Sequence, residues 1–164
     1  MKHLLPLRKA PDLESFDKRV KVITDPNEVV IFLVDDNALY LKLLEFEFRQ
    51  NPILKIKTFL TGEACIDSLS LKPDVIILDY ILTTENKKAM DGIQTLIKIK
   101  KTLPNTQVIM LSAMESIEVA TDSIKLGASD YVVKDRNTFS RLKAGIKRYL
   151  GAYSKEKELV VWDW

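Results

Sequence analysis

The chain has little of several things, and each scarcity removes a class of protein. It has a single cysteine, Cys65, so no disulfide can form within it and a reducing compartment, the cytoplasm, is expected. That lone thiol falls in a predicted helix and reads as a small buried hydrophobe. Charge of either sign is not in excess: 25 Lys and Arg stand against 23 Asp and Glu, which gives no global electrostatic case for nucleic acid or a membrane surface. No apolar run reaches the length of a membrane span. The first nine residues are interrupted by Pro6 and the pair Arg8-Lys9 before a secretory core could form. There is no internal repeat and no low-complexity stretch. What remains, 164 residues of which 46% are hydrophobic and 29% charged, suits one globular domain with a useful core.

Short apolar runs alternate with longer amphipathic ones through the middle of the chain, the pattern of a parallel sheet covered on both faces by helices. Strands are predicted at Val29–Val34, Leu54–Phe59, Val75–Leu78, Val108–Leu111 and Tyr131–Val133. The first helix is predicted from about Ala38 to Gln50, with Asn37 as N-cap and Pro52 beyond its end. The second follows Thr61-Gly62-Glu63, and the third follows Asp91-Gly92 and stops near Leu103-Pro104. A fourth is expected from Ser116 to Leu126, ended by Gly127, and a fifth from Thr138 to Leu150 with Gly151 beyond. Five strand–helix pairs in about 120 residues suit a doubly wound α/β domain over residues 29–150.

That leaves an N-terminal extension, residues 1–28, and a C-terminal tail, residues 151–164. The extension carries Leu4, Leu5, Leu7, Leu13, Phe16, Val20, Val22 and Ile23, too apolar for a simple solvated arm. The first helix has apolar area to spare, because Leu39, Tyr40, Leu41, Leu43, Leu44, Phe46 and Phe48 cover roughly 220° of its circumference where a core-facing stripe needs nearer 100°. A cover is therefore expected, either the N-terminal extension or a second copy in a homodimer. The tail Glu158–Trp164 is β-prone and aromatic, open to strand addition on a partner or to fraying.

The chemistry lies where the strands stop. Asp35-Asp36, Asp79, Ser112 and Lys134 each follow or end an apolar run, and parallel strands end on one edge. Three carboxylates gathered there would repel one another, and a bound Mg²⁺, which takes hard oxygen ligands and keeps several waters, would resolve the conflict. Such a site could also receive a phosphoryl group.

Five segments occur in an order and spacing that resembles the receiver domain of two-component response regulators, chemotaxis-regulator-like single domains included. They are Phe32-Leu33-Val34-Asp35-Asp36-Asn37, Lys72-Pro73-Asp74-Val75-Ile76-Ile77-Leu78-Asp79, Asp91-Gly92, Val108-Ile109-Met110-Leu111-Ser112-Ala113, and Gly127-Ala128-Ser129-Asp130-Tyr131-Val132-Val133-Lys134. The resemblance implies a flavodoxin-like (βα)5 fold with strand order 2-1-3-4-5. It implies a phosphorylation-dependent switch in which Asp79 accepts a phosphoryl group from a sensor histidine kinase or a histidine phosphotransfer protein. Asp36 and Asp79 would ligate Mg²⁺ directly, Asp35 directly or through water, and the carbonyl of Ile81 would add an oxygen. Lys134 would pair with the phosphoryl group or with free Asp79, a task that suits its compact charge on a flexible stem. Ser112 would donate a hydrogen bond, small Ala113 would leave room, and Tyr131 would turn inward to relay the state to a downstream protein through the fourth helix, fifth strand and fifth helix.

Two departures from the family pattern stand out. The segment Tyr80–Met90 before Asp91-Gly92 is about five residues longer than usual, and Asp135 replaces the proline common after the lysine. Ile81 and Met114 flank the path of a hydrolytic water; both are apolar and neither can orient it, so a long-lived phosphoaspartate is expected. Neither flanking segment is expected to hold an output enzyme or DNA-binding domain. One alternative is a receiver-like module that binds partners without phosphorylation. Another is a haloacid-dehalogenase-like phosphohydrolase, which usually carries a second aspartate where this chain has Ile81. Arg136, Arg141, Lys143, Lys147 and Arg148 read as a solvated or partner-binding helix face rather than a nucleic-acid site.

Overall fold

Each of the five apolar runs forms a strand in the computed structural model, which describes residues 28–82 and 89–157, with side chains described as far as Gly151. The strands are β1 (Val29–Val34), β2 (Leu54–Phe59), β3 (Val75–Asp79), β4 (Gln107–Ser112) and β5 (Asp130–Val133). All pair in parallel, in the order β2-β1-β3-β4-β5. Parallel pairing requires a crossover between strands. The crossovers are α1 (Ala38–Phe48), α2 (Gly62–Asp67), α3 (Gly92–Thr102) and α4 (Ile117–Lys125), and α5 (Thr138–Lys157) follows the last strand. A single 3₁₀ turn, Leu69–Leu71, links α2 to β3.

The two-residue period of the strands divides the core. Val29, Ile31, Leu33, Val75, Ile77, Ile109, Leu111 and Val132 face Leu41, Leu44 and Phe48 of α1 and Leu142, Ile146 and Leu150 of α5. The alternate residues Phe32, Val34, Ile76, Leu78, Val108 and Met110 pack with Cys65, Leu69, Leu96 and Ile99. Central β3 is buried along its whole length. Burying each of its large aliphatic side chains contributes roughly 1.5–3 kcal/mol, so the strand that ends in Asp79 is held rigidly. Cys65 is fully buried, as its sequence context predicted, and burial pushes its thiol up to about 12.

The cap predicted at Asn37 is present, and the starts of α2, α3 and α4 are capped as well. Asn37 accepts the N–H groups of Leu39 and Tyr40, Thr61 that of Ala64 and Ser116 that of Val119. Asp91 and Gln94 form a reciprocal capping box on α3. The stop predicted for the last helix at Leu150 is incorrect: α5 continues through Gly151 to Lys157. Gly151 does not adopt the left-handed conformation that ends a helix, and the good helix formers after it outweigh the roughly 1 kcal/mol that a helical glycine costs. Residues 151–157 therefore extend α5.

The apolar surplus of α1 is real. Leu39 and Phe46 are each 69% exposed and Leu43 is 50% exposed, while Leu41, Leu44 and Phe48 fill the core. The extension expected to cover this stripe lies outside the described residues, as do the β-prone tail and residues 83–88 of the long loop.

Candidate functional site

Strand register brings the predicted residues to one edge. Val34 of β1 pairs with Leu78 of β3, Asp79 with Leu111 of β4, and Ser112 with Val133 of β5. Asp35, Asp79, Ser112 and Lys134 thus leave the sheet at neighbouring levels. One carboxylate oxygen from each of Asp35, Asp36 and Asp79 lies within 4.8 Å of the others. Asp35 and Asp79 are buried and Asp36 is half-buried. The Lys134 ammonium enters between two of them, 2.7 Å from Asp35 Oδ2 and 3.1 Å from Asp79 Oδ2. Asp35 Oδ1 accepts the N–H of Asn37 at 2.8 Å, which fixes the carboxylate against the turn that starts α1.

Three carboxylates therefore face one ammonium. Burial pushes the Asp79 carboxyl up to about 6; the nearby Lys134 charge and the Ile81 N–H pull it down, and Asp35 adds to the rise. Burial alone would lower the Lys134 ammonium, but Asp35 and Asp79 outweigh it and hold Lys134 above its ordinary range. Lys134 thus pairs with two of the three carboxylates, Asp35 and Asp79. Its donors are all hard oxygens at a spacing one small cation can bridge, so the residues fit Mg²⁺ or a similar divalent ion. Ile81 is at hand: its N–H bonds Asp79, and its side chain is 38% exposed beside the site.

The sequence reading also singled out Ser112 and Tyr131, and both engage the same residue. The buried Ser112 hydroxyl accepts the Met114 N–H at 3.0 Å, and the Tyr131 phenol donates to the Met114 carbonyl at 2.8 Å. The loop after β4 is thus tied at one residue to a hydroxyl near the carboxylates and to an aromatic on β5. Asp91-Gly92 acts through packing: a Cβ on Gly92 would stand 2.3 Å from the Asp79 carbonyl and 2.6 Å from that of Tyr80. Only glycine lets the start of α3 press against the backbone that carries Asp79.

Two features were not read from the sequence. Tyr40 places its ring under the Lys134 ammonium, 4.7 Å from the ring centre. The signal was available, because side chains of a helix's first turn lean back toward its N-terminus, here toward the strand ends. The turn after Lys134 is closed by Asp135 and Thr138. The Asp135 N–H donates to Thr138 Oγ1 at 2.7 Å, and Asp135 Oδ1 accepts the Asn137 N–H at 2.7 Å. Of the basic residues of α5, Arg141 pairs with Asp135, Lys143 with Glu47 and Arg148 with Asp130, which spends much of that face on internal pairs.

A doubly wound sheet with an acidic triad and a lysine at its C-terminal edge defines a phosphoryl-receiving class of α/β domain. Residues 31–147 match the model of the response regulator receiver domain, and the chain belongs to that family. It is 32% identical over 126 residues to the protein-glutamate methylesterase/protein-glutamine glutaminase of group 1 operon of Pseudomonas putida KT2440, covering 74% of this chain and 32% of that protein. A Treponema pallidum protein of the same activity is 31% identical over 142 residues, 82% of this chain and 34% of its own length. The chain thus spans about a third of the length of these curated relatives. Among solved structures it resembles the BeF3-activated DrrB receiver domain, at 33% identity and a TM-score of 0.63 over 76% of this chain and 98% of that one. The signal receiver domain of a putative Luxo repressor protein from Vibrio parahaemolyticus matches at 28% identity and a TM-score of 0.68, over 79% and 95%. No described helix is long and apolar enough to cross a membrane.

Proposed function

We propose that residues 29–150 work as a phosphorylation switch whose acceptor is Asp79. The observation that carries this reading is the Lys134 ammonium lodged between Asp35 and Asp79, 2.7 and 3.1 Å away, inside the acidic triad. A carboxylate oxygen of Asp79 attacks phosphorus, and the bond from phosphorus to the imidazole nitrogen of a donor histidine breaks. The imidazole keeps the electron pair and takes up a proton, and Asp79 becomes an acyl phosphate. Lys134 then exchanges its bond to free Asp79 for one to a phosphoryl oxygen, and the Ser112 hydroxyl, released from the Met114 N–H, donates to another. Asp36 and Asp79, with Asp35 directly or through water and the Ile81 carbonyl, are the proposed ligands of Mg²⁺. When bound, that ion supplies charge neutralisation at the oxygens of the transferring group. Because Ser112 and Tyr131 both hold Met114, capture of Ser112 by phosphate would loosen the loop that holds the Tyr131 phenol. The output is a contact with a downstream protein; the donor is a histidine kinase or a phosphotransfer protein.

The relatives' esterase and glutaminase activities are not assigned to this chain, whose own chemistry on this reading is the gain and loss of its phosphate. Incubation with Mg²⁺ and acetyl phosphate, followed by intact mass, tests the proposal. One phosphate on the wild type and none on Asp79→Asn supports it. An unmodified wild type favours a phosphorylation-independent module, and repeated turnover of phosphate favours a phosphohydrolase.

A further inference from the structure

Lysine is a flexible side chain, and the turn that follows Lys134 contains no proline to stiffen it: the sequence runs Lys134-Asp135-Arg136-Asn137-Thr138. The ammonium is nevertheless placed at bonding distance from two carboxylates. We propose that Tyr40 is the positioning residue for Lys134: its ring face supports the ammonium beside the carboxylates.

The ring centre is 4.7 Å from Nζ, within the range of a cation–π contact. The carboxylates draw the ammonium from one side and the ring limits it on the other, so the charge cannot drift into solvent without losing both. Tyr40 is itself braced. It stands on the first turn of α1, whose N-cap Asn37 bonds Asp35 through its own N–H, and it packs against the core under α1 and α5. Thr138, which closes the turn after Lys134, is 2% exposed. The Thr138 hydroxyl accepts the Asp135 N–H at 2.7 Å and lies 2.7 Å from the Asp135 carbonyl and 3.1 Å from that of Val133. Through its ring, one tyrosine on the first turn of α1, just after Asp35 and Asp36, therefore meets the lysine that follows β5.

This inference rests on the phosphorylation reading only where phosphoryl transfer is measured, so the test has two readouts. The first needs no phosphate. An aromatic ring beneath Nζ shifts the Lys134 ε-methylene protons upfield in the NMR spectrum; the shift is expected in wild type and Tyr40→Phe and is expected to disappear in Tyr40→Leu. Its absence in the wild type overturns the proposal. The second is the rate of Asp79 phosphorylation by acetyl phosphate at saturating Mg²⁺, measured beside Mg²⁺ affinity. Tyr40→Leu is expected to slow phosphorylation roughly 3- to 30-fold with Mg²⁺ bound at least as tightly as before, because a loosened ammonium competes less with the cation. Tyr40→Phe, which keeps the ring, is expected to recover most of the rate. A wild-type rate in Tyr40→Leu, or parallel loss of phosphorylation and Mg²⁺ binding, would contradict positioning. If the wild type takes no phosphate while the upfield shift is present, the phosphorylation reading fails and the placement of Lys134 by Tyr40 stands.

Discussion

Strand β3 has an aspartate at each end, and the two are put to opposite uses. Asp74, just before the strand, accepts the Val30 N–H at 2.8 Å, and its backbone bonds Val30 and Gln107 on both flanking strands. The phenol of Tyr149 approaches its other oxygen at 3.4 Å. Nearby polar groups are settled in the same way: Thr106 donates to the Pro73 carbonyl, and Lys100 to those of Pro104 and Thr106. Asp79 shares one ammonium with Asp35, sits beside a third carboxylate and has its carboxyl pushed up by burial. At one edge polar groups are matched to stabilise the fold; at the other three carboxylates are held together at the end of a rigid strand, at a spacing open to a cation and a phosphoryl group. Asp74 is half-buried and Asp79 buried, and the two also differ in the partners that meet their carboxylates.

The sharpest way to break the comparison is to exchange the roles of its two aspartates. Asp79→Asn is expected to abolish phosphorylation and leave the fold intact. Asp74→Ala is expected to retain phosphorylation while losing about 1–3 kcal/mol of stability, because the Val30 N–H loses its carboxylate partner. Denaturant unfolding beside intact mass measures both. A phosphorylated Asp79→Asn, or an Asp74→Ala of full stability, would erase the distinction.

Next in size is Lys134→Gln. It is expected to slow phosphorylation at least ~10-fold, as loss of a preorganised charge at a reacting group does, and to tighten Mg²⁺ by removing a competing cation. Calorimetric titration of Mg²⁺ that finds weaker binding would mean that Lys134 chiefly maintains the site's shape.

The burial of Asp79 predicts a pH signature in the metal-free protein. A carboxyl whose folded-state pKa lies above its ordinary 3.8, at about 6, binds its proton more tightly folded than unfolded, so its ionisation weakens the fold. The penalty is absent below the lower value, grows between the two and is complete above the upper. Asp79→Asn removes it, and the variant's gain in melting temperature is expected to be several degrees at about pH 8 and to shrink toward about pH 4. A gain independent of pH would mean that Asp79 is not the strained group.

The smallest effect concerns the lifetime of the phosphate. Met114 and Ile81, 44% and 38% exposed, offer an approaching water no side-chain hydrogen bond. Met114→Asn and Ile81→Asn are each expected to speed phosphate loss several-fold, followed by intact mass after the donor is removed. Unchanged or slower loss in both would mean that these positions do not govern access of water.

The sheet was legible in the sequence because strands buried on both faces leave runs such as Val75-Ile76-Ile77-Leu78, and caps such as Asn37, Thr61 and Asp91 mark where helices begin. The convergence at Asp79 was legible for a topological reason: parallel strands end on one edge, so the residue after each run could be placed without coordinates. The end of α5 was misread because glycine was taken as a stop, although a glycine ends a helix only when the chain turns left-handed there; Gly127, at φ 101°, does so after α4 and Gly151 does not. Tyr40 was overlooked because period counts a helical residue by the face it occupies, while the ring of a first-turn residue reaches back over the strand ends. The closing of the Lys134 turn by Asp135 and Thr138 was hidden because a proline was expected and a side-chain bond does the work instead.

The central claim, that the carboxylates at the C-terminal edge are gathered to receive a phosphoryl group on one particular aspartate, is tested most directly by locating the modification. The protein is phosphorylated with acetyl phosphate and Mg²⁺, the acyl phosphate is reduced with borohydride to homoserine, and the peptides are sequenced by mass spectrometry. Homoserine at position 79, with Asp35, Asp36 and Asp74 unchanged, is the predicted result. Homoserine at any of those three, or at none, would contradict it.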